Sequence, residues 1–153
     1  MMTDVLYMTW EHFEEAMRSA VAELSKHPLI LDRPTGVYGI PRGGLIVAVT
    51  LSHRLSIPWL AEPQPGCILV DDVIDTGHTM QTLINNLHKQ HPGLHWATWV
   101  WITKNLLPRI SYHRYVDPKI WVCFPWSDPL KIEQEMKAYH ARLAREAQGP
   151  KAR

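Results

Sequence analysis

Three carboxylates, Asp71, Asp72 and Asp75, fall within five residues directly after the apolar run Cys67-Ile68-Leu69-Val70. Like charges this close repel one another and are poor material for a core. They make sense where they meet a polyhydroxylated or cationic partner. Adjacent Asp71 and Asp72 can accept hydrogen bonds from vicinal ribose hydroxyls, directly or through a metal ion. Thr76, Gly77, His78 and Thr79 follow where a helix begins, and they supply backbone N–H groups and two hydroxyls, a ready phosphate cradle. The competing reading is an acidic turn in which Asp75 or Thr76 caps the helix.

A second turn has matching logic. In Pro41-Arg42-Gly43-Gly44 the paired glycines let the backbone approach an anion closely, and Arg42 adds a fixed positive charge. By itself this turn reads equally well as an ordinary strand-to-helix connection.

The elements that must hold these turns follow from periodicity. Thr9 is placed to cap a first helix, in which Trp10, Phe13, Met17, Ala20, Val21 and Leu24 recur at helical spacing through about Lys26. A short strand at Gly36–Ile40 runs into the 41–44 turn and a helix from Leu45 to Leu55. Cys67–Val70 is an apolar strand of the kind buried in parallel sheets. A polar turn at 71–77, a helix from about His78 to Gln90 and a strand at Trp96–Ile102 come next. Tyr112–Val116 and Ile120–Phe124 read as short strands, and a final amphipathic helix covers 128–147. Alternating strands and helices predict an α/β fold with a mostly parallel central sheet flanked by helices. Ligands of such sheets bind beyond the carboxyl ends of the strands, where both unusual turns lie.

The totals narrow the class. A length of 153 residues suits one domain, 1–153, and 46% apolar with 20% charged residues reads as globular. A net charge of +1 gives no sign of a nucleic-acid or membrane-surface binder. No run approaches the ~20 apolar residues of a membrane span, and no signal peptide is evident, so a cytoplasmic location is expected. Cys67 and Cys123 lie in apolar strands and read as buried free thiols. His88 and His91 read as a solvated surface pair, and most of the seven tryptophans as core or interface.

Taken together, the strand–Asp-Asp-Val-Ile-Asp-Thr-Gly-x-Thr–helix run at 71–79 closely resembles the phosphoribosyl-diphosphate motif of the type I phosphoribosyltransferases. Gly39-Ile40-Pro41-Arg42-Gly43-Gly44 is similar to that family's pyrophosphate loop. Lys104, with Trp121-Val122-Cys123-Phe124-Pro125-Trp126, is similar to the base-binding region of its bacterial 6-oxopurine branch. The resemblance covers about residues 8 to 128. It implies a small C-terminal base-binding hood within 104–127 followed by the terminal helix. It also implies transfer of a 5-phosphoribosyl group from phosphoribosyl diphosphate to a 6-oxopurine base (guanine, xanthine or hypoxanthine), with Mg²⁺ as cofactor and a homo-oligomer, dimer or tetramer, as the assembly. Asp71 and Asp72 would hold the ribose hydroxyls and the metal, and residues 75 to 79, namely Asp75, Thr76, Gly77, His78 and Thr79, would wrap the 5-phosphate. Asp75 would also handle the proton of the attacking base nitrogen. Pro41, Arg42, Gly43 and Gly44 would receive pyrophosphate. Lys104 would donate to a 6-oxo group, Trp121 would stack on the base, and the Val122 backbone would meet its 2-position substituent.

The chain departs from that family in one respect that bears on turnover. Family members usually carry a long flexible loop before the acidic-motif strand, which closes over the site. Here only about Ala61–Gly66 intervenes, stiffened by Pro63 and Pro65. A phosphoribosyl-diphosphate or nucleotide-binding regulatory protein with little turnover is therefore the alternative, as is a transferase with a different acceptor. His78 occupies a position that is commonly small or cationic in the family.

Overall fold

The structure is a computed structural model and describes residues 5–28 and 33–149. The described chain divides into two compact units, one formed by residues 14–116 and the other by residues up to Phe13 together with those from Asp117.

The first helix, α1 (Trp10–Leu24), starts where its sequence says it should. The Thr9 hydroxyl accepts the His12 N–H at 3.2 Å, and the His12 Nδ1 accepts the Thr9 N–H at 3.1 Å, a reciprocal capping box with histidine in the usual Glu position. Phe13, Ala16, Met17, Ala20 and Leu24 form its buried face. Thr9→Ala should cost about 1 kcal/mol, read as a lowered midpoint in urea with an unchanged slope; an unshifted midpoint would show that this cap contributes nothing.

The larger unit is built on a five-stranded sheet in the order β3-β2-β4-β5-β6, every neighbouring pair parallel. Its strands are β2 (Val37–Gly39), β3 (Trp59–Leu60), β4 (Ile68–Ile74), β5 (Ala97–Thr103) and β6 (Ser111–Tyr115). Parallel pairing demands crossover connections: α2 (Gly43–Leu55) joins β2 to β3, and α3 (His78–Gln90) joins β4 to β5. All seven residues of β5 are buried, Trp99 and Trp101 fully so, which is why that segment reads as a continuous apolar run. Met80 and Leu87 of α3 pack in one cluster with Ile40, Leu69, Ile74, Trp96 and Val100. On α2, Val47, Ala48 and Leu51 are buried. Cys67 and Cys123 are buried free thiols, and burial pushes the Cys67 thiol up to about 11.

The smaller unit pairs β1 (Val5–Tyr7) with β7 (Trp121–Cys123) in parallel and carries α4 (Ile132–Ala147). The Tyr139 hydroxyl of α4 donates to the Pro118 carbonyl, and its ring lies 5.2 Å from that of Trp121. Phe124 and Trp126 stack in parallel with centroids 5.1 Å apart.

Several boundaries differ from the sequence reading, most by one or two residues, and three of them have a clear physical cause. Residues 71–74 are not part of a polar turn: β4 continues to Ile74, because β5 runs alongside and pairs with Asp71, Val73 and Ile74. The backbone ladder outweighs the polarity of the side chains. The second helix begins at Gly43, not Leu45, since the Gly44 N–H already donates to the Ile40 carbonyl at 3.0 Å. The last helix starts at Ile132, because Asp128 first closes a turn by accepting the Leu130 and Lys131 N–H groups. Among the described residues no helix is long and apolar enough to cross a membrane.

Candidate active site

The two motif turns leave neighbouring strands of the larger unit. Gly39 of β2 pairs with Val70 of β4, and the Ile40 N–H donates to the Val70 carbonyl at 2.9 Å. Thus the 41–44 segment leaves the carboxyl end of β2 beside Asp71 and Asp72, which lie in the second half of the neighbouring parallel strand β4. The Pro41–Arg42 peptide bond is cis, and Pro41 and Arg42 are exposed.

Both carboxylates turn toward the first residues of α2. A Cβ on Gly43 would overlap Asp72 Oδ2, and one on Gly44 would lie 3.0 Å from Asp71 Oδ1. Glycine is required here for close approach. Asp71 Oδ1 accepts the Asp72 N–H and Asp72 Oδ1 accepts the Val73 N–H, each at 2.8 Å. These bonds do not offset the surroundings. Burial pushes both carboxyl groups above the ordinary carboxylate range, and for Asp71 the neighbouring Asp72 charge pushes further in the same direction.

This pair fits a hard divalent cation. Among the described residues no cluster of three or more His, Cys, Asp or Glu could cage a metal. Two desolvated carboxyl groups side by side would suit Mg²⁺, which is commonly held by one or two protein carboxylates together with water and substrate phosphates.

The strand that carries the pair leads to the start of α3. The N-cap residue is Gly77, in the left-handed conformation at φ 88°, and no acidic residue stands in the first turn. The Thr76 hydroxyl accepts the N–H of His78, the first helical residue, at 3.3 Å, in line with the capping alternative. Gly77 is buried, and a Cβ there would overlap Leu107. His78 and Thr79 are exposed and Asp75 is partly buried. A helix start with no acidic residue in its first turn and with exposed His78 and Thr79 favours an anion.

Asn105 was not singled out by sequence reasoning. Its Nδ2 donates to the Thr76 carbonyl at 2.8 Å, and its own carbonyl accepts the Thr103 hydroxyl at 2.6 Å. The loop after β5 therefore braces the turn before α3, a contact across 29 residues of sequence that no local pattern announces.

The base-side residues fall in different units. Lys104, at the end of β5, is only 5% exposed, and its N–H donates to the Ile74 carbonyl at 2.8 Å. Lys104 is therefore not a solvated strand-end lysine. In the smaller unit, Val122 is buried and pairs with Leu6, and half-buried Trp121 packs against Tyr139, with Arg142 lying 5.0 Å over the Tyr139 ring. Tyr139 as the neighbour of Trp121 was also missed; its place in the 3.6-residue stripe of the last helix was the available signal.

The short connection between β3 and β4 is tied down. The Thr35 N–H donates to the Gly66 carbonyl at 3.2 Å, its hydroxyl donates to the Pro65 carbonyl at 2.9 Å, and the Cys67 N–H closes a turn onto Gln64. This segment has no length to form a lid.

No family model matches the chain. It is 29% identical over 133 residues to a xanthine-guanine phosphoribosyltransferase of Cereibacter sphaeroides, a match covering 69% of this chain and 75% of that protein. It is 27% identical over 108 residues to the enzyme of the same name from Idiomarina loihiensis, covering 54% and 65%. A solved purine phosphoribosyltransferase from Pyrococcus horikoshii superposes with a TM-score of 0.62 at 26% identity, over 83% of this chain and 96% of that one. The xanthine-guanine-hypoxanthine phosphoribosyltransferase of Helicobacter pylori shares the fold, with a TM-score of 0.66 at 17% identity over 84% and 97%. The chain is thus similar in sequence to xanthine-guanine phosphoribosyltransferases, and its parallel five-stranded sheet shares the fold of solved purine phosphoribosyltransferases.

Proposed function

We propose that the protein transfers the 5-phosphoribosyl group of phosphoribosyl diphosphate to a 6-oxopurine, forming a nucleoside 5-monophosphate and pyrophosphate. The observation that carries this reading is the desolvated Asp71–Asp72 pair facing the start of α2, on the strand that leads to a start of α3 free of acidic residues in its first turn. Together they offer a place for a metal-bridged sugar next to a place for a phosphate.

In this reading Asp71 and Asp72 orient the ribose hydroxyls and hold Mg²⁺, and Thr76, Gly77, His78 and Thr79 receive the 5-phosphate. Mg²⁺, when bound, neutralises the charge that builds on the departing pyrophosphate. Arg42 and the Gly43–Gly44 backbone accept that leaving group. A base nitrogen forms its bond to C1 as the C1–O bond breaks, and the electron pair leaves with pyrophosphate. Asp75 takes the proton that the base nitrogen gives up, and Lys104 donates to the 6-oxo group. Positioning and electrostatics supply the catalysis, with no covalent enzyme intermediate.

Incubation with donor, Mg²⁺ and guanine, xanthine, hypoxanthine and adenine tests the proposal. Nucleotide should form with the three 6-oxo bases and not with adenine. Donor binding without product from any base would replace this reading by the second one, a binding protein, which the pinned 61–66 connection favours. Lys104→Met keeps the buried stem and removes the charge. It should raise KM for the base roughly 10- to 100-fold, the worth of one charged hydrogen bond, and leave the KM for donor nearly unchanged. An equal rise in both would remove Lys104 from the base side.

A further inference from the structure

A groove of about 770 Å³ opens in the larger unit between the later part of α3 and the segments that lead into β5 and β6. It lies toward the amino ends of those strands, whereas Asp71 and Asp72 lie in the second half of β4. Its size falls in the range of small-molecule sites, and nothing in the proposed transfer reaction uses it.

Its lining is selective in charge. Arg109, His88 and His95 border it, all three exposed, and no Asp or Glu is among the described lining residues. Gln81 and Asn85, one turn apart on α3 and joined by a 3.3 Å hydrogen bond, bring amides that both donate and accept. Trp96 forms an aromatic wall, 7% exposed, and its buried indole N–H has no hydrogen-bond partner. Orphaned buried donors are uncommon, and each calls for an explanation.

The backbone also presents Arg109 in an unusual way. Arg109 adopts φ 64°, a conformation rare outside glycine, asparagine and aspartate, and its carbonyl is anchored by the Thr98 hydroxyl at 2.9 Å. Backbone conformations of this kind cluster at functional sites. Here the held residue is an exposed guanidinium, the side chain best shaped for bidentate contact with phosphate.

We propose that this groove is a second ligand site, for a nucleoside phosphate, separate from the strand-end site. Arg109 with His88 and His95 receives the phosphate. The indole of Trp96 offers part of its ring edge to the heterocycle, and the Gln81 and Asn85 amides read the heterocycle's polar edge. Because α3 runs from the phosphate cradle at Gly77 to this groove, an occupant would rest on the same helix that starts the proposed donor site.

The test is a titration of the full ¹⁵N-labelled chain with adenosine 5-monophosphate, following the Trp96 indole N–H, which is identified by its loss in Trp96→Phe. The Trp96 signal should shift saturably. The affinity should fall at least about ten-fold in Arg109→Asn, through the lost charged contact; asparagine tolerates the positive φ. His88→Gln with His95→Gln, at two exposed positions, is a second handle and should also weaken binding. Asp71→Asn with Asp72→Asn should leave the Trp96 titration unchanged, which separates this groove from the strand-end site. A Trp96 signal that does not move would overturn the proposal. So would equal weakening by the acidic-pair variant, or an identical response to inorganic phosphate alone, which would mark an adventitious ion only.

Discussion

Asp71→Asn with Asp72→Asn is expected to abolish binding of phosphoribosyl diphosphate and Mg²⁺ while making the ligand-free protein more stable. In the unfolded chain both carboxyls titrate near the ordinary ~3.9, and in the folded protein burial raises both. The fold therefore favours their protonated forms. This contribution to stability is fully present below about pH 4, where both states are protonated, and is lost as pH rises toward the folded-state values. At neutral pH the unliganded site is thus held at a cost, which asparagine removes while its side-chain oxygen still accepts the Asp72 and Val73 N–H groups. A gain of about 1–2 kcal/mol is expected, or roughly 3–6 °C in Tm for a chain of this size.

Melting curves from pH 4 to 8 without metal check the sign: the wild type should lose Tm relative to the variant as pH rises. Parallel curves would mean that the pair ionises in the fold without penalty. Calorimetry supplies an independent readout, because Mg²⁺ entering with the donor should displace protons from the wild-type pair. A binding heat that does not depend on the buffer would contradict the raised values.

Gly39→Ala should be the most destabilising single methyl added near the site. A Cβ at Gly39 would overlap the Gly44 carbonyl oxygen and come within 2.8 Å of Ala48 Cβ. The first obstruction is backbone, so no rotamer change relieves it, and β2 and the start of α2 must separate. Overpacking of this kind costs typically about 1–3 kcal/mol, and the rigid neighbour places this case at roughly 3 kcal/mol. That corresponds to a Tm lowered by roughly 6–12 °C. Donor affinity should fall as well, since moving α2 shifts Gly43 and Gly44 away from the carboxylates that they accommodate. Val49→Ala, on the exposed part of the same helix, should change stability by no more than about 0.5 kcal/mol. A Gly39→Ala protein as stable as that control would show that β2 and α2 are not locked together.

Much of the architecture was legible locally because it depends on local chemistry. Thr9 with His12, the apolar face of α1, the buried runs at 67–70 and 96–102 and the helix at 78–90 are signalled by periodicity and capping, which act over a few residues. The 71–79 motif likewise pointed to a sugar and phosphate site, the reading proposed above, because carboxylates, hydroxyls and glycine at a helix start carry their chemistry with them.

Other features were decided by chain segments far apart in sequence. Whether Asp71 and Asp72 lie on a turn or a strand depends on β5, whose backbone supplies the ladder beside them. Their raised pKa values depend on burial beside α2, Gly77 must be glycine partly because Leu107 fills the space beside it, and Thr76 is held by Asn105. The opening motif was therefore determined by the sequence in its composition and in its place on the apolar strand that begins at 67–70. Only the tertiary structure made Asp71 and Asp72 a desolvated pair, because desolvation comes from neighbours brought in by folding and not from the residues themselves.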